Sequence, residues 1–381
     1  MSLRVGVVAG EASGDLLGAG LIRAVKQLAP DAVFEGVAGP EMIAAGCEAW
    51  ANAEELAVMG LIEPLRHVPR LLRLRRSLRE RWQANPPDVF IGIDAPDFNL
   101  ALERRLRESG IATMHYVSPT IWAWRPGRVR TVARAVDCVL CILPFEKSLY
   151  DEAGVRAEFV GHPKADTLSP VDDPGDARRE LGIDGEPLVA LLPGSRHGEV
   201  KRLVDVFATA AARIHASDDR ARFVIPVASE SLRPPIQAAV DAAGIAGVTT
   251  LVSGQSIRVM EAADLVILAS GTAVLESALL GKPSIAAYKL APISAAIVRT
   301  FRLLKLDYVT LPNNLTEEPM IPEFLQEDAT PEAIADEAIR LLGDAARQAA
   351  IRSSFAKLHD ELALDASRRS AEALMRIAGH G

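Results

Sequence analysis

The sequence has few cysteines, no long apolar run and a deficit of positive charge. Its 381 residues include 3 cysteines, and we expect a cytoplasmic protein. No stretch reaches about 18 consecutive apolar residues, which predicts that no helix crosses a membrane. The formal net charge of −8 argues against a general nucleic-acid-binding protein. The N-terminus lacks the features of a signal peptide and predicts a first strand.

Two of the cysteines form a C-x-x-C pattern, which can indicate a redox pair. Cys138 and Cys141 lie within an apolar run that predicts a strand. Residues three apart in a strand point to opposite faces, so these two side chains are badly placed to bond to each other. We interpret both as buried core residues.

The length of the chain favours two domains over one core. Before residue 168, apolar strand-like runs alternate with helix-like segments, which predicts a doubly wound α/β domain. A polar segment rich in Pro and Gly at 169–176 is typical of an interdomain linker. The same alternation then begins again and predicts a second α/β domain, followed by an Ala-rich helical stretch from 331 to 381.

One predicted strand ends in two carboxylates. The run 89–93 is apolar and is followed by Asp94, Ala95, Pro96 and Asp97. The carboxyl ends of strands face the ligand crevice in open α/β sheets, so both Asp94 and Asp97 are candidate catalytic residues. The alternative is that they cap a helix that begins near Asn99.

Two further loops follow predicted strands of this half. The first contains Gly10, Glu11 and Ser13 before a helix, but its spacing is not G-x-G-x-x-G, so a dinucleotide site is unsupported. Acidic Glu11 and Asp15 would repel phosphate, which favours sugar hydroxyls as ligands; the alternative is a simple tight turn. The second loop contains Trp122, Trp124, Arg125 and Arg128. It could form an apolar and cationic wall of a ligand site, or it could pack on the other domain.

The second half contains two turns suited to an anion. In the first, a strand runs into Ser270, Gly271 and Thr272 at a helix N-terminus, and Glu276 lies one turn deeper, where its carboxylate could bind ribose hydroxyls. Glu276 as an ordinary surface residue is the alternative. The second turn supplies Gly194, Ser195 and Arg196, the last a good ligand for phosphate oxygens. No clear D-x-D pattern follows a strand, which disfavours a metal-bridged diphosphate, and we expect no metal and no cofactor.

A stretch at 66–82 interleaves arginines with leucines. Such a pattern is typical of a basic amphipathic helix on an anionic membrane surface, and equally of a surface helix that packs its leucines on the sheet. The candidate membrane residues are Leu72, Arg73, Arg75, Arg76 and Trp82.

Several of these runs together resemble the lipid-A-disaccharide synthase family. The resemblance covers the chain from Leu3 to about Gln326. It is carried by 9–15 (AGEASGD), 92–99 (GIDAPDFN), 116–125 (YVSPTIWAWR), 192–196 (LPGSR), 269–276 (ASGTAVLE) and 311–313 (LPN).

The resemblance implies two facing Rossmann-like domains of the GT-B glycosyltransferase architecture with an interdomain cleft. Residues 1–168 would form the acceptor- and membrane-facing domain, and 177–345 the UDP-sugar-binding domain. Residues 346–381 would be helices that pack back on the first domain or on a partner chain, as in a homodimer. The protein would lie peripherally on the inner face of the cytoplasmic membrane.

The implied reaction transfers 2,3-diacylglucosamine from its UDP form to the 6-hydroxyl of 2,3-diacylglucosamine 1-phosphate, with inversion to a β-1,6 linkage and release of UDP. Asp97 is our candidate base, with Asp94 as the alternate, and burial would have to raise the pKa of the base. Asn313 is carried over from the family with less weight, whereas Asp88 fits a structural role. The donor would be bound by residues 194–196, residues 270–272 and Glu276. The acceptor would be bound by Glu11, Ser13, Trp122, Trp124 and Arg125.

Two rival functions fit parts of the sequence. A UDP-N-acetylglucosamine 2-epimerase has a similar donor turn but acts on a soluble sugar nucleotide and needs no apolar, arginine-rich surface. A non-catalytic UDP-sugar sensor would bind the nucleotide without turnover. An assay with both acylated substrates discriminates among the three.

Overall fold

The computed structural model describes residues 2–56, 64–119, 128–290 and 308–380, without the side chains of 64–67. The chain divides into two compact units. One unit runs to Asp166 and resumes at Leu362, and the other comprises Thr167–Glu361. No helix of the described ranges is long and apolar enough to cross a membrane.

The first unit is built on a seven-stranded parallel sheet of order β3-β2-β1-β4-β5-β6-β7. The strands are β1 (Arg4–Ala9), β2 (Val33–Ala38), β3 (Cys47–Asn52), β4 (Val89–Ile93), β5 (Ala112–Tyr116), β6 (Cys138–Cys141) and β7 (Ala157–Phe159). The helices are α1 (Glu11–Leu28), α2 (Pro40–Ala44), α3 (Pro64–Ala84), α4 (Pro96–Glu108), α5 (Val129–Ala135), α6 (Pro144–Glu152) and α7 (Pro163–Thr167).

The second unit repeats this architecture on a six-stranded parallel sheet of order β10-β9-β8-β11-β12-β13. Its strands are β8 (Leu188–Leu192), β9 (Arg222–Val227), β10 (Thr249–Ser253), β11 (Leu265–Ala269), β12 (Ser284–Tyr288) and β13 (Glu323–Leu325). Its helices, numbered over the described residues, are α8 (Gly175–Leu181), α9 (His197–Ser217), α10 (Arg233–Ala242), α11 (Ser256–Ala262), α12 (Thr272–Leu279), α13 (Leu311–Leu315), α14 (Pro331–Gly343) and α15 (Ala345–Leu362).

The two parallel-sheet α/β units confirm the predicted fold class. Strands buried on both faces form because their sequences are continuous apolar runs, as in β4 and β8, where every residue is buried. Cys138 and Cys141 are free and pack in core clusters on opposite sides of β6, which confirms the core interpretation.

The last helix, α16 (Ala366–Ile377), belongs to the first unit although it follows the whole second unit in sequence. Its Ala371 and Leu374 lie in the same core cluster as Leu21 and Ile22 of α1. Asp166 fixes the start of this segment, because its carboxylate accepts the backbone N–H groups of Asp365 (2.8 Å) and Ala366 (2.7 Å). The first core is therefore completed by the C-terminal end of the described chain.

Candidate functional site

In the first unit, the candidate loops follow two neighbouring strands at the point where the strand order reverses. β1 pairs with β2 on one side and with β4 on the other. The loop after β1 begins at Gly10 and the loop after β4 at Asp94, so both lie at the switch point where α/β sheets bind ligands. A Cβ built on Gly10 would lie 2.7 Å from that of Ala95, so the structure brings these two predicted segments into contact.

The turn after β4 has an unusual backbone. Asp94 (φ 53°) and Ala95 (φ 43°) both adopt the left-handed conformation, which costs a non-glycine residue on the order of 1 kcal/mol. The fully buried Asn99 holds the turn, since its Nδ2 donates to the carbonyl oxygen of Asp94 at 2.8 Å. The same amide approaches the carbonyls of Ile93 and Val8, which ties α4 to both strands. The sequence argument missed this role of Asn99.

A buried acid–base pair lies under the same turn. Glu103 of α4 and His115 of β5 are fully buried, with Oε1 and Nδ1 2.7 Å apart. A Cβ on Gly92 would lie 2.2 Å from that Oε1, so β4 needs glycine here. Burial raises the pKa of Glu103, and His115 opposes the rise. The pair positions α4 against β5; nothing in the sequence pattern singled it out.

Asp97 lies in the first turn of α4, which begins at Pro96 rather than near Asn99 as predicted. Proline is favoured at this helical position. The capping alternative is wrong for both carboxylates, because the N-cap is Ala95 and makes no side-chain hydrogen bond. The Asp97 side chain is 66 % exposed and pairs with Arg128, so the burial expected of a base is not found. Both line a recess of ≈ 540 Å³.

The acids of the first loop have different environments. Glu11 and Ser13 are exposed at the start of α1, where no side chain caps the helix. Asp15 is buried and accepts backbone N–H groups at the start of α2, including those of Gly39 (3.0 Å) and Glu41 (2.9 Å). The expectation that Asp15 repels phosphate at the loop is therefore wrong; it caps α2. Trp122, Trp124 and Arg125 lie outside the described residues.

The second unit has its own switch point between β8 and β11, which are paired. The turn after β11 presents exposed Gly271 and Thr272 at the N-terminus of α12, where no side-chain cap hydrogen bond is made. Ser270 is half-buried and hydrogen-bonded through its backbone to Ala287. The half-buried Glu276 lies one turn into α12. The arrangement suits an anion with a hydroxyl-bearing group beside it.

The turn after β8 is already occupied by a carboxylate. Glu199 accepts the backbone N–H groups of Ser195 (3.1 Å) and Arg196 (3.4 Å). The Arg196 side chain is 84 % exposed and pairs with Glu199 at 3.3 Å, while Gly194 has φ +123°. Of the two turns, that of α12 is therefore the better oxyanion site, with Arg196 as an exposed cation on the neighbouring turn. Sequence reasoning missed Glu199, although a Glu at the third helical position is a capping signal.

Asn313 is a structural anchor rather than an exposed ligand. Its Nδ2 donates to Ile321 O (2.8 Å) and to the Glu323 carboxylate (2.9 Å). Its Oδ1 accepts the N–H groups of Met320 and Ile321, both at 2.9 Å. A primary amide has two donors and two acceptor positions, so the buried Asn313 has none left for a substrate. We assign it a positioning role in place of the predicted catalytic one.

The arginine-rich stretch forms α3, and its residues separate into two groups. Trp82 is fully buried between Trp50 (5.2 Å) and Phe90 (4.9 Å between ring centroids), so its prediction as a membrane residue is wrong. Its large aromatic surface fills the core beside β1. Leu72 is 48 % exposed and Val68 40 %.

Asp88, at the start of β4, accepts the N–H of Arg4 at 2.7 Å, in keeping with its structural role.

Within the described ranges, no group of three or more His, Cys, Asp or Glu side chains is arranged to hold a metal ion.

Comparison with known proteins finds a family and a fold. A family model described as lipid-A-disaccharide synthetase matches residues 5–377. A lipid-A-disaccharide synthase of Alkalilimnicola ehrlichii is 48 % identical over 380 residues, covering 99 % of each chain. One of Chromohalobacter salexigens is 45 % identical over 380 residues, covering 100 % of this chain and 98 % of the relative.

Solved structures with the same fold are more distant in sequence. A structure described as a UDP-N-acetylglucosamine 2-epimerase of Listeria monocytogenes has a TM-score of 0.66 at 13 % identity, covering 98 % of this chain and 96 % of that one. The UDP-GlcNAc 2-epimerase of Neisseria meningitidis bound to UDP-GlcNAc has a TM-score of 0.63 at 12 % identity, covering 98 % and 100 %. A glycosyltransferase of kitacinnamycin has a TM-score of 0.60 at 15 % identity, covering 99 % of each chain. These likenesses show the two-domain Rossmann-like fold of GT-B enzymes.

Proposed function

The chain belongs to the lipid-A-disaccharide synthase family and is a glycosyltransferase, and from this we propose its substrates and mechanism. The donor is UDP-2,3-diacylglucosamine and the acceptor 2,3-diacylglucosamine 1-phosphate. The products are the β-1,6-linked disaccharide 1-phosphate and UDP. The observation that carries the proposal is the match to this one family over residues 5–377.

The chemistry is a single displacement. The Asp97 carboxylate takes the proton of the acceptor 6-hydroxyl, and the oxygen attacks C1 of the donor sugar from the face opposite UDP. The bond between C1 and the diphosphate oxygen breaks, and UDP leaves with the electron pair. The open Asp97 recess, which also holds Arg128, supports this assignment because substrate can reach the carboxylate, and the bound acceptor would have to supply the burial that Asp97 lacks in this structure.

The second unit would bind the donor nucleotide. The exposed N-terminus of α12, which no side chain caps, supports a diphosphate at Gly271 and Thr272, since backbone N–H groups and the helix dipole there stabilise negative charge on the leaving group. Glu276 would accept hydrogen bonds from the ribose hydroxyls. The neighbour bound to UDP-GlcNAc supports a UDP-sugar as donor.

We also propose that the protein is peripheral on the inner face of the cytoplasmic membrane. Both substrates carry acyl chains, so they reside in a bilayer. The exposed Val68 and Leu72 of α3, together with Arg73, would enter the interface, where each basic residue contributes on the order of 1 kcal/mol.

The test measures UDP release with donor alone, acceptor alone and both together. We expect release only when both are present, with formation of a disaccharide phosphate. Conversion of a UDP-sugar without acceptor would indicate an epimerase. Binding of UDP-sugar with no release in any mixture would indicate a sensor.

A further inference from the structure

A recess of ≈ 280 Å³ between α3 and α4 is walled mainly by arginine. On α3 the lining arginines are three and four residues apart and so share a face, whereas the two on α4 are adjacent in sequence. Leu102 and Ala101 supply part of the apolar lining. We call this the arginine recess, and its cations are Arg75, Arg76 and Arg79 of α3 with Arg104 and Arg105 of α4.

The carboxylates around the arginine recess neutralise only part of its charge. Glu80 pairs with Arg76 at 2.7 Å and reaches Arg79 at 3.7 Å. Glu108 pairs with Arg105 at 3.0 Å and Arg104 at 3.6 Å. Five guanidinium groups therefore face two carboxylates, which leaves an excess of three positive charges.

Two of the arginines lack partners for part of their guanidinium group. Arg75 forms no ion pair with the described residues and lies 6.0 Å from the centroid of the Phe98 ring. Burial lowers the pKa of Arg75, as expected of a partly desolvated cation without a counter-charge. The Nε of Arg79 is buried and has no hydrogen-bond partner in the described residues. A site with these properties gains most from a compact dianion.

The arginine recess adjoins the recess of the candidate base. Arg104 lines both, together with Ala101. Asp97 and Arg104 are seven residues apart on α4, which is two turns and about 10.5 Å on the same helix face. In a hexosamine 1-phosphate, the phosphate on C1 and the 6-hydroxyl on C6 lie on the two sides of the ring oxygen, several Å apart, and an arginine side chain is long enough to span the rest of the distance. One molecule can therefore direct its hydroxyl toward Asp97 and its phosphate toward Arg104.

We propose that the arginine recess binds the phosphate monoester of the sugar acceptor, and so selects a phosphorylated acceptor and orients its 6-hydroxyl. The planar guanidinium fork of arginine matches phosphate oxygens in bidentate geometry. This inference rests on the proposed function for the identity of the acceptor. The same chemistry could take the phosphate of a membrane phospholipid, and the experiment separates the two.

The experiment compares Arg104→Gln and Arg75→Gln, one from each wall, with Arg134→Gln, an exposed arginine of α5 outside both recesses. We measure initial rates against acceptor at saturating donor, and against donor at saturating acceptor. We expect the KM for acceptor to rise about tenfold or more in both recess variants, with the KM for donor and the thermal midpoint unchanged. Arg134→Gln should match the wild type.

Binding to vesicles of phosphatidylglycerol and phosphatidylcholine identifies the source of the phosphate. The proposal predicts equal vesicle binding of Arg104→Gln and wild type. Weaker vesicle binding with an unchanged KM for acceptor would overturn it in favour of a phospholipid headgroup. An unchanged KM together with unchanged vesicle binding would also overturn it.

A third measurement separates this inference from the proposed function. Calorimetric titration with glucosamine 1-phosphate and with glucosamine needs no turnover. If UDP is never released, the proposed function fails. The phosphate site is still supported in that case if the wild type binds glucosamine 1-phosphate but not glucosamine, and if Arg104→Gln abolishes that binding. If the enzyme turns over but binds the two sugars with equal affinity, and the variants have unchanged KM values, the proposed function holds and the proposed phosphate site is wrong.

Discussion

Gly10 and Ala95 meet where β1 and β4 end, so closely that a Cβ on Gly10 would lie 2.7 Å from the Cβ of Ala95. The two loops that form the first switch point can touch only because one of them lacks a side chain at this position. Gly10 has an ordinary extended backbone, so its requirement is one of space rather than of conformation.

Gly10→Ala should therefore lower the free energy of unfolding by about 1–3 kcal/mol, because one of the two loops must move. Gly14→Ala on α1 is the control, since its added Cβ would lie 3.6 Å from the Cβ of Ala9 in β1, an ordinary van der Waals contact. Urea unfolding monitored by circular dichroism measures both. Equal stability of the two variants would show that the loops separate without cost.

Asp97→Asn should lower turnover on the order of 10²–10⁴-fold while UDP affinity stays unchanged, because the amide cannot take the proton of the acceptor hydroxyl. Asp94→Asn should have a smaller effect if Asp94 is only a support. Asp151→Asn, an exposed residue on α6, is the control for charge. A larger loss of turnover in Asp94→Asn than in Asp97→Asn would identify Asp94 as the base and Asp97 as its support.

Glu276→Gln should weaken UDP binding about tenfold, equivalent to about 1.4 kcal/mol. The wild type should bind UDP more tightly than 2′-deoxy-UDP, and the variant should discriminate less between them, because a charged acceptor for the ribose hydroxyls is lost. Titration calorimetry with both nucleotides measures this, with Asp241→Asn on α10 as control. Undiminished discrimination would remove Glu276 from the ribose site.

Glu103→Gln should change how stability depends on pH. The pKa of Glu103 is raised in the folded protein, so its contribution to stability is complete below the unfolded value of about 4.3 and is lost as pH rises through the folded value. The glutamine variant lacks this loss. Its stability relative to wild type should therefore rise with pH above about 4.3.

The thermal midpoints of Glu103→Gln and wild type between pH 5 and pH 9 provide the measurement. Glu152→Gln, an exposed residue of α6, should track the wild type at every pH. A difference between Glu103→Gln and wild type that stays constant from pH 5 to pH 9 would contradict the prediction.

The double variant Val68→Ser, Leu72→Ser should bind anionic vesicles about 30-fold more weakly, because it removes two apolar side chains from the interface at about 1 kcal/mol each. Leu28→Ser is a matched control, since Leu28 is 47 % exposed on α1. Co-sedimentation with vesicles measures both. An equal loss of vesicle affinity in Leu28→Ser would show that any exposed apolar side chain contributes, and would contradict a specific role for α3.

The sequence predicted the central strands well because their burial on both faces makes them continuous apolar runs. It missed β3, β7 and β13, which are half-exposed edge or near-edge strands without such a run. Local patterns carry less information about the edge of a sheet, where pairing depends on distant residues, although the edge strand β10 was predicted.

Polar residues near strand ends were harder to interpret. Asp15 was interpreted as an acid that repels phosphate and Asn313 was carried over from the family as a catalytic residue, but both accept backbone N–H groups of other segments, Asp15 from Gly39 and Asn313 from Met320. Trp82 looked like an interfacial residue because it ends an arginine-rich helix, whereas the cavity that it fills is formed by β1, β3 and β4. Such roles depend on tertiary contacts that spacing does not reveal.

The return of α16 to the first unit sets the order in which the protein can mature during synthesis. The face of α1 that α16 covers cannot be sealed until roughly 200 further residues have left the ribosome, which takes on the order of 10–40 s. During that interval the nascent first unit exposes apolar surface while the second unit can already fold. Chaperone demand should therefore be set by the N-terminal half of the chain and end only when α16 packs on α1.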